Sequence, residues 1–535
     1  MPVTQNNDAL SFLMENGLSS GEISRYLSDG ISMDELVAAV QGLASRRESA
    51  GSDAGSVKPM DYSDAGNAAV FVREYSSYLI FVDSMGWLFW DGKRWERSEH
   101  KALMLALEFS ERMRIEAMEE YTTALRKEAA VKANNPDGGE DVKKAVEATK
   151  QAKAYLSHAN ITRRAARIKA ILDLSKPGLH MPGSAMDAIP TELNTQAGII
   201  DLVTGKRKYH RQASYCTMIT AEGMDADGSA EIWQIFLDQI TCDDGELRDF
   251  LQMVVGMALF GKVYHEGLVF AVGDGRNGKS TFFNAVGAVL GDYTGYINID
   301  VITTRGSNDK ASLATLRGKR MVIAGELEEG RRLSAATVKK LASTDPFQVE
   351  EKYKQPEIIK PSHTLFLFTN HLPRVGSTDT GTWRRILNVP FNAVIDPKQS
   401  VQNFGDFLAK NAGGAILAWA VEGAQRFAAN NFHLDIPQCV KDATEEYRRR
   451  ESWLENFIDE CCDIDPNARI QASVLYAEYK IWAESTREFV RSSKDFAAEM
   501  DKLGYKYVRP GNKKHYTGLK LKIMQYATVR GVSVV

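Results

Sequence analysis

The residues with the clearest chemistry form the run Gly273–Ser280, which reads G-x-x-x-x-G-K-S. An apolar, β-prone run at 268–272 precedes it, and a run of helix formers at 281–290 follows. This order predicts a strand, a glycine-rich loop and a helix start, where backbone N–H groups and the helix dipole favour an anion. The full match in this context argues against the alternative, a chance glycine-rich turn.

The same run predicts that the chain binds a nucleoside triphosphate together with Mg²⁺. Lys279 would reach the β- and γ-phosphates, and the Ser280 hydroxyl would ligate Mg²⁺. We expect the nucleotide to be held by nine consecutive residues: Gly273, Asp274, Gly275, Arg276, Asn277, Gly278, Lys279, Ser280 and Thr281.

A second apolar strand, predicted downstream from Arg320, ends in carboxylates. One carboxylate would hold the metal shell, and another would polarise the attacking water. We assign Glu326 to the metal and water site, with Glu328 as its partner, because alternate residues of a strand share a face. An ordinary strand with a charged exit is the alternative.

A third predicted strand, 363–369, ends at Asn370, whose amide could orient the lytic water against the γ-phosphate. Arg384 and Arg385 come just before a fourth predicted strand at 386–391. An arginine that meets the γ-phosphate of a neighbouring subunit would neutralise charge in the transition state. Either arginine could instead be structural, and we favour Arg385 slightly over Arg384 for this role.

Two segments could contact DNA. Two β-prone runs within 345–361 predict a hairpin whose basic, aromatic tip could grip the phosphates and bases of one strand. A surface hairpin without a ligand is the alternative. Helices at about 453–462, 471–485 and 492–503, followed by two short strands, predict a winged helix with a basic tip, although a solvated basic surface is also compatible. The candidate DNA-binding residues are Lys352, Tyr353 and Lys354 in the first segment and Lys513 and Lys514 in the second.

The upstream half has a different character. Residues 8–46 predict about three small helices, and residues 48–60 read as a flexible linker. Aromatic strands at 78–96 predict a small β-meander whose tryptophans belong to the core rather than to a base-stacking platform. The segment 101–174 predicts a helical hairpin. Its basic cluster around Arg163 and Arg167 favours a solvated face over a nucleic-acid contact. One short strand is expected within 193–205, and helices are expected over 229–262.

Composition limits the class of protein. The 535 residues carry a net charge of −4, which gives no global nucleic-acid signature. The five cysteines form no C-x-x-C pair, as expected for reduced and mostly buried thiols. No apolar stretch approaches the length of a membrane span. We therefore expect a soluble protein of the cytoplasm that makes no membrane contact.

The ordered runs G-D-G-R-N-G-K-S, V-I-A-G-E-L-E-E-G-R-R-L, L-F-L-F-T-N-H-L-P and T-W-R-R-I-L-N-V-P-F resemble superfamily 3 helicases. Specifically, the chain is similar to the phage/plasmid primase-helicase group, which is related to the poxvirus primase-helicase. The resemblance covers residues 61–535. It implies an α/β fold with a P-loop AAA+ core at 229–430. An α+β helicase-associated domain at 61–228 would precede this core, and a winged-helix domain at 431–535 would follow it.

The resemblance also implies an activity. It points to an ATP-dependent DNA helicase of phage, prophage or plasmid replication, working in the bacterial host cytoplasm as a hexameric ring on single-stranded and forked DNA. Many relatives carry an arginine in the first strand of the hairpin where this chain has Glu350 or Glu351, which leaves the DNA-contacting residue open. The sequence before the helicase half has no zinc-ligand cluster and no plausible pair of metal-binding aspartates on a strand. We therefore expect no primase activity, and residues 1–46 could bind a separate primase or replication protein.

Two other functions stay open. An ATP-switched origin-binding or loading protein would use the same ATP site without processive unwinding. A nucleotide or small-molecule kinase would need an acceptor pocket and a lid, and neither would explain the order of Asn370 and the arginines. Stimulation of ATP hydrolysis by DNA would separate the kinase from the other two.

Overall fold

The computed structural model describes residues 55–224, 230–303, 310–325, 331–350, 357–375, 380–396, 401–486 and 489–522. The chain divides into two compact units. The N-terminal unit contains the residues up to Trp90 and Glu96–Gly183, and the C-terminal unit contains Asp91–Trp95 and the residues from Ser184 onward. The helices predicted within 8–46 and most of the predicted linker lie outside the described residues. The five-segment division made from the sequence stays a prediction.

The N-terminal unit combines a β-meander with a helical hairpin. Its elements are α1 (Asp64–Tyr75), β1 (Leu79–Val82), β2 (Gly86–Trp90), β3 (Trp95–Arg97, which begins in the other unit), α2 (Glu99–Asn134), α3 (Glu140–Thr162) and α4 (Ala165–Ser175). Strands β1 and β2 pair antiparallel, and β3 completes the predicted meander. The side chain of Ser98 accepts a hydrogen bond from the Lys101 amide at the start of α2, a favourable helix cap. The two long helices α2 and α3 confirm the helical hairpin that the sequence predicts within 101–174.

Aromatic side chains fill the core of this unit. Phe71, Tyr75, Trp87, Phe109 and Tyr155 are each at most 2% exposed. Trp87 is therefore a core residue, as the sequence predicts.

The basic cluster at the end of the hairpin lies at the surface. There Arg163 and Arg167 pair with Glu111 and Asp64. These ion pairs favour the solvated face that the sequence predicts for the cluster.

The C-terminal unit begins with a small antiparallel sheet, β4 (Glu192–Thr195), β5 (Gly198–Asp201) and β6 (Arg207–Lys208), in the order β4-β5-β6. The expectation of a single strand within 193–205 is wrong, because the chain reverses between β4 and β5. Gly198 permits this turn with a φ of 137°, a conformation that side chains disfavour.

A five-stranded parallel sheet forms the centre of this unit. Its segment contains α5 (Ala230–Thr241), α6 (Gly245–Ala258), β7 (Leu268–Val272), α7 (Lys279–Leu290), β8 (Thr294–Ile297), α8 (Lys310–Ala314), β9 (Met321–Ala324), α9 (Ala335–Leu341), β10 (Phe347–Val349), β11 (Glu357–Ile359), β12 (Thr364–Thr369), α10 (Thr380–Trp383), β13 (Ile386–Pro390) and α11 (Phe404–Ala429). The strand order is β13-β7-β12-β9-β8, and every neighbouring pair is parallel.

Both faces of this sheet are covered, so its strands consist almost entirely of buried residues. One face packs against α7 and α11, where Val269, Phe282, Phe366 and Trp419 are buried. This arrangement confirms the α/β class that the sequence predicts.

The last segment contains α12 (Gln438–Glu451), α13 (Trp453–Cys461), β14 (Cys462–Gln471), α14 (Ala472–Ser485), α15 (Ser493–Lys502), β15 (Tyr507–Val508) and β16 (His515–Leu521). Three strands form an antiparallel sheet in the order β14-β16-β15. The three predicted helices and two predicted strands are present. Strand β14 was not predicted, because its run C-D-I-D-P-N-A-R-I-Q is mostly polar and is held in the sheet by pairing with β16.

Candidate functional site

The loop between β7 and α7 carries the G-x-x-x-x-G-K-S run at the carboxyl edge of the parallel sheet. Gly273 is required by packing, since a Cβ there would lie 2.2 Å from the Phe391 carbonyl oxygen. Gly275 and Gly278 have φ values of 93° and 81°, which favour glycine. The glycine pattern therefore reflects a tight, left-handed loop wrapped over the end of β13.

Lys279 is buried, with 4% of its surface exposed, and its ammonium group points back into the loop. Its Nζ donates to the Gly273 carbonyl at 2.7 Å, to the Asn277 Oδ1 at 2.8 Å and to the Asn370 Oδ1 at 3.2 Å. Three neutral oxygens thus orient the ammonium group.

Asn370 reaches Lys279 because of strand register. Strands β7 and β12 are parallel neighbours, with Val272 opposite Thr369, so the residues that follow them emerge side by side. Asn370 is exposed at this edge. The structure thus brings together two residues that are far apart in the chain and that the sequence assigned to one site.

These residues line a cleft of about 210 Å³. The first residues of helix α7 line this cleft. No side chain caps the amino end of the helix, so its first amides do not donate to a capping residue. Ser280 is exposed and Thr281 is half-buried at this first turn. The lining residues are Gly275, Arg276, Asn277, Gly278, Lys279, Ser280, Thr281, Phe368, Asn370 and Ile395. Of the nine predicted nucleotide-binding residues, only Gly273 and Asp274 do not line the cleft.

The two carboxylates predicted for the metal and water site follow strand β9 in the chain. Strand β9 ends at Ala324, which lies opposite Leu367 of β12. Glu326 and Glu328, which follow this strand, lie outside the described residues. Their assignment stays a prediction.

The two arginines before β13 occupy different environments. The Arg385 side chain is 9% exposed, donates to the Gly381 carbonyl at 2.7 Å and pairs with Glu266 of the same chain. The Arg384 side chain is 66% exposed and lies 3.3 Å from Glu266. Arg384 is therefore far more accessible to a neighbouring molecule than the favoured Arg385.

The predicted DNA-binding residues lie on two hairpins. Strands β10 and β11 pair antiparallel, which confirms the first hairpin, but its tip with Lys352, Tyr353 and Lys354 lies outside the described residues. Lys513 and Lys514 are exposed on the connection between β15 and β16.

Sequence reasoning missed two contributors to the site, Ile395 and Glu266, and the role of Asn277 in holding the loop. Asn277 donates to the Phe391 carbonyl at 3.0 Å while its oxygen accepts from Lys279, so it links the loop to β13. Ile395 lines the cleft, and its amide donates to the Arg276 carbonyl at 2.9 Å. Glu266 binds the arginine pair. No local sequence pattern predicts these roles, because each depends on a contact with a distant segment of the chain.

Among the described residues, no group of three or more histidine, cysteine, aspartate or glutamate side chains is arranged to hold a metal ion. In the described part of the chain, every helix is too short or too polar to span a membrane.

Two family models match the chain. Residues 68–242 match the model described as D5 N terminal like. Residues 271–385, which include the loop, Lys279, Asn370 and both arginines, match a family of unknown function, DUF5906.

Curated viral proteins are similar to part of the chain. A provisionally named helicase, L207/L206 of Acanthamoeba polyphaga mimivirus, is 28% identical over 45% of this chain and 27% of its own length. A provisionally named primase, C962R of African swine fever virus (strain Badajoz 1971 Vero-adapted), is 23% identical over 44% of this chain and 27% of its own. The chain is related to the phage-type primase-helicases. It spans about a quarter of the length of these two relatives.

Among solved structures, the A form apo structure of the NrS-1 C terminal region matches 63% of this chain and 85% of that one. The identity is 12% and the TM-score is 0.37.

Proposed function

We propose that this chain is an ATP-dependent DNA helicase of mobile-element replication with a P-loop AAA+ core. The observation that carries the proposal is the contact between Lys279 and Asn370 at the carboxyl edge of the parallel sheet. Open α/β sheets bind ligands outside the carboxyl ends of their strands. An amide beside the lysine that would hold the γ-phosphate is placed to orient an attacking water.

ATP and Mg²⁺ are the proposed cofactors. The cleft offers a buried lysine, backbone amides and a helix amino end, which together suit a polyphosphate. Magnesium bound to the phosphates would neutralise charge that develops during phosphoryl transfer. The exposed Ser280 at the cleft fits a hydroxyl ligand, and Glu326 is its proposed carboxylate partner.

The proposed working form is a homo-oligomeric ring, most simply a hexamer, in which each site is completed by an arginine from the next subunit. Such an arginine must extend beyond its own chain. Arg384 satisfies this requirement with two-thirds of its side chain exposed, whereas Arg385 is buried against Glu266. We therefore assign the finger to Arg384 in place of the expected Arg385.

DNA would be held at two places. The β10–β11 hairpin would present Lys352, Tyr353 and Lys354 to the single strand. The element order α13-β14-α14-α15-β15-β16, with an antiparallel sheet, supports a winged-helix domain whose tip carries Lys513 and Lys514. Single-stranded and forked DNA are thus the proposed substrates.

The names of the viral relatives are compatible with a helicase and with a primase. Three expectations stay predictions: that this chain makes no primer, that it works in a bacterial host cytoplasm, and that a separate primase is its partner. Template-dependent synthesis of a short primer by the purified chain would contradict the first of these.

Strand displacement on forked DNA tests the proposal. We expect the purified chain with Mg²⁺ and ATP to release a labelled strand, and to release none with a non-hydrolysable ATP analogue. Sedimentation with and without nucleotide should show assembly beyond a monomer. ATP hydrolysis that DNA stimulates without strand release would favour an origin-binding or loading protein, and hydrolysis indifferent to DNA would favour a kinase.

A further inference from the structure

Charge is sharply segregated within residues 453–522. Helices α13, α14 and α15 carry eight acidic residues against three lysines. The hairpin segment 505–522 carries six Lys and Arg residues and no acidic residue. Because phosphates bind where cations are concentrated, the hairpin rather than the helices is suited to a polyanion.

Four of these cations remain available for a ligand. Lys520 lies 3.2 Å from Asp465, and Lys522 donates to the Asp459 carbonyl. In the part of the chain that the structure describes, the other four form no ion pair with a carboxylate; they are Lys506, Arg509, Lys513 and Lys514, and all are exposed.

Helix α15 is a poor candidate for entering a DNA groove. Its exposed residues include Asp495 and Asp501, and its Lys502 lies 3.0 Å from Glu499. Phe496 and Met500 point into the core. A helix that offers carboxylates would be repelled by the phosphates that line both grooves of duplex DNA.

Tyr507 stands among the available cations. Its ring is 46% exposed, the Lys514 ammonium lies 4.6 Å from the ring centroid, and the Arg509 guanidinium lies 5.6 Å from it. An exposed aromatic ring gains little from duplex DNA, whose bases are stacked on one another. It can stack on an unpaired base while the neighbouring cations neutralise the flanking phosphates.

We propose that the β15–β16 hairpin is a binding site for single-stranded DNA, in which Tyr507 stacks on a base and Arg509 and Lys514 bind the adjacent phosphates. This site rests on the proposed DNA function and specifies its ligand and its contacting residues. Helix α15 does not enter a groove in this binding mode.

Fluorescence anisotropy of the full chain with a labelled oligothymidylate, and with a duplex of equal length, tests the site. Tyr507→Ala should weaken single-strand binding on the order of ten-fold and change duplex binding less than about two-fold. Tyr507→Phe keeps the ring and should bind like the unaltered protein. Lys494→Gln, which removes an exposed lysine of α15, is the matched control and should also bind normally.

Salt dependence provides a second readout. Arg509→Gln should lower the slope of log affinity against log salt by about 0.7, as expected for one lost phosphate contact with a single strand. An unchanged slope would contradict the phosphate role of Arg509.

The remaining outcomes separate this site from the proposed function. Equal losses on both DNAs for Tyr507→Ala, or a loss for Lys494→Gln as large as that for Tyr507→Ala, would overturn the stacking site. Unchanged single-strand binding by Tyr507→Ala would overturn it as well, and the helicase proposal would stand. If the unaltered protein binds neither DNA, the proposed function fails together with the site.

Discussion

The Nζ of Lys279 lies 3.2 Å from the Oδ1 of Asn370, although 91 positions separate them in the chain. Parallel pairing of β7 with β12 produces this contact, since both residues follow the carboxyl ends of their strands. The lysine that would hold the γ-phosphate, at the start of α7, and the amide that would orient water, just after β12, are therefore held together at one edge of the sheet. Preorganised donors of this kind act on the transition state without reorganisation.

Removing the Asn370 amide should separate nucleotide binding from hydrolysis. Asn370→Ala leaves the loop and Lys279 in place, so we expect a KM for ATP within about three-fold of normal and a kcat lower by at least about ten-fold. Steady-state kinetics measure both. Asn370→Asp should also weaken ATP binding, because a carboxylate beside Lys279 competes with the phosphate. Equal kcat values for the unaltered protein and Asn370→Ala would remove Asn370 from the mechanism.

The arginine assignment predicts complementation between subunits. Lys279→Ala has a dead site but an intact Arg384, and Arg384→Ala has an intact site but no finger. We expect each variant alone to be inactive and a mixture of the two to recover part of the ATP turnover. Arg385→Ala should instead lower the melting temperature, because it leaves Glu266 without its buried partner. A mixture no more active than its components would contradict the role of Arg384.

Tyr447 of α12 holds the segment that follows Asn370. Its hydroxyl donates to the Pro373 carbonyl, and its ring lies edge-on to Trp383 with centroids 5.1 Å apart. Burial raises the pKa of Tyr447, so the hydroxyl stays a donor.

Tyr447→Phe keeps the ring and leaves the Pro373 carbonyl unpaired, which should cost about 1–3 kcal/mol in the free energy of unfolding. Urea denaturation measures this difference. Tyr121→Phe, at a half-buried position on α2, is the control and should cost less than about 0.5 kcal/mol. Equal stability of Tyr447→Phe and the unaltered protein would show that the hydrogen bond contributes nothing.

Acid should destabilise the fold partly through His363, which is buried immediately before β12. Burial lowers its pKa from 6.5 to about 4. Between these values the unfolded chain binds the proton and the folded chain does not, so the free energy of unfolding falls as the pH falls through this window.

His363→Gln removes this titration. Between about pH 7 and about pH 5, its melting temperature should therefore fall less than that of the unaltered protein. His100→Gln, at an exposed position, should show the full fall. If the melting temperatures of both variants and of the unaltered protein fall by the same amount, the proton uptake does not occur at His363.

Local pattern is enough to predict four of the five strands of the parallel sheet, and β8 is the strand that was not predicted. The runs that form β7, β12 and β13 are short, apolar and bounded by glycine, polar or proline residues, so their ends are predicted within about a residue. Strand β14 was missed because its stability comes from pairing with β16, which a polar run does not reveal. The turn between β4 and β5 was missed because it depends on the conformation of a single glycine, Gly198.

The site shows the same division. The loop residues and Asn370 follow from the motif and from the rule that parallel strands end at one edge. The burial of Arg385 could not be predicted, since it depends on Glu266, a residue far away in the chain. Likewise, the role of Asn277 depends on the Phe391 carbonyl beyond β13.

ATP turnover with and without single-stranded DNA, for the unaltered protein and for Lys279→Ala, tests the central claim most directly. We predict turnover that single-stranded DNA increases several-fold, and a loss of at least about a hundred-fold in Lys279→Ala. Lys410→Ala, an exposed lysine of α11, should match the unaltered protein. Undiminished ATP turnover in Lys279→Ala would contradict the account. So would ATP turnover in the unaltered protein that single-stranded DNA does not change.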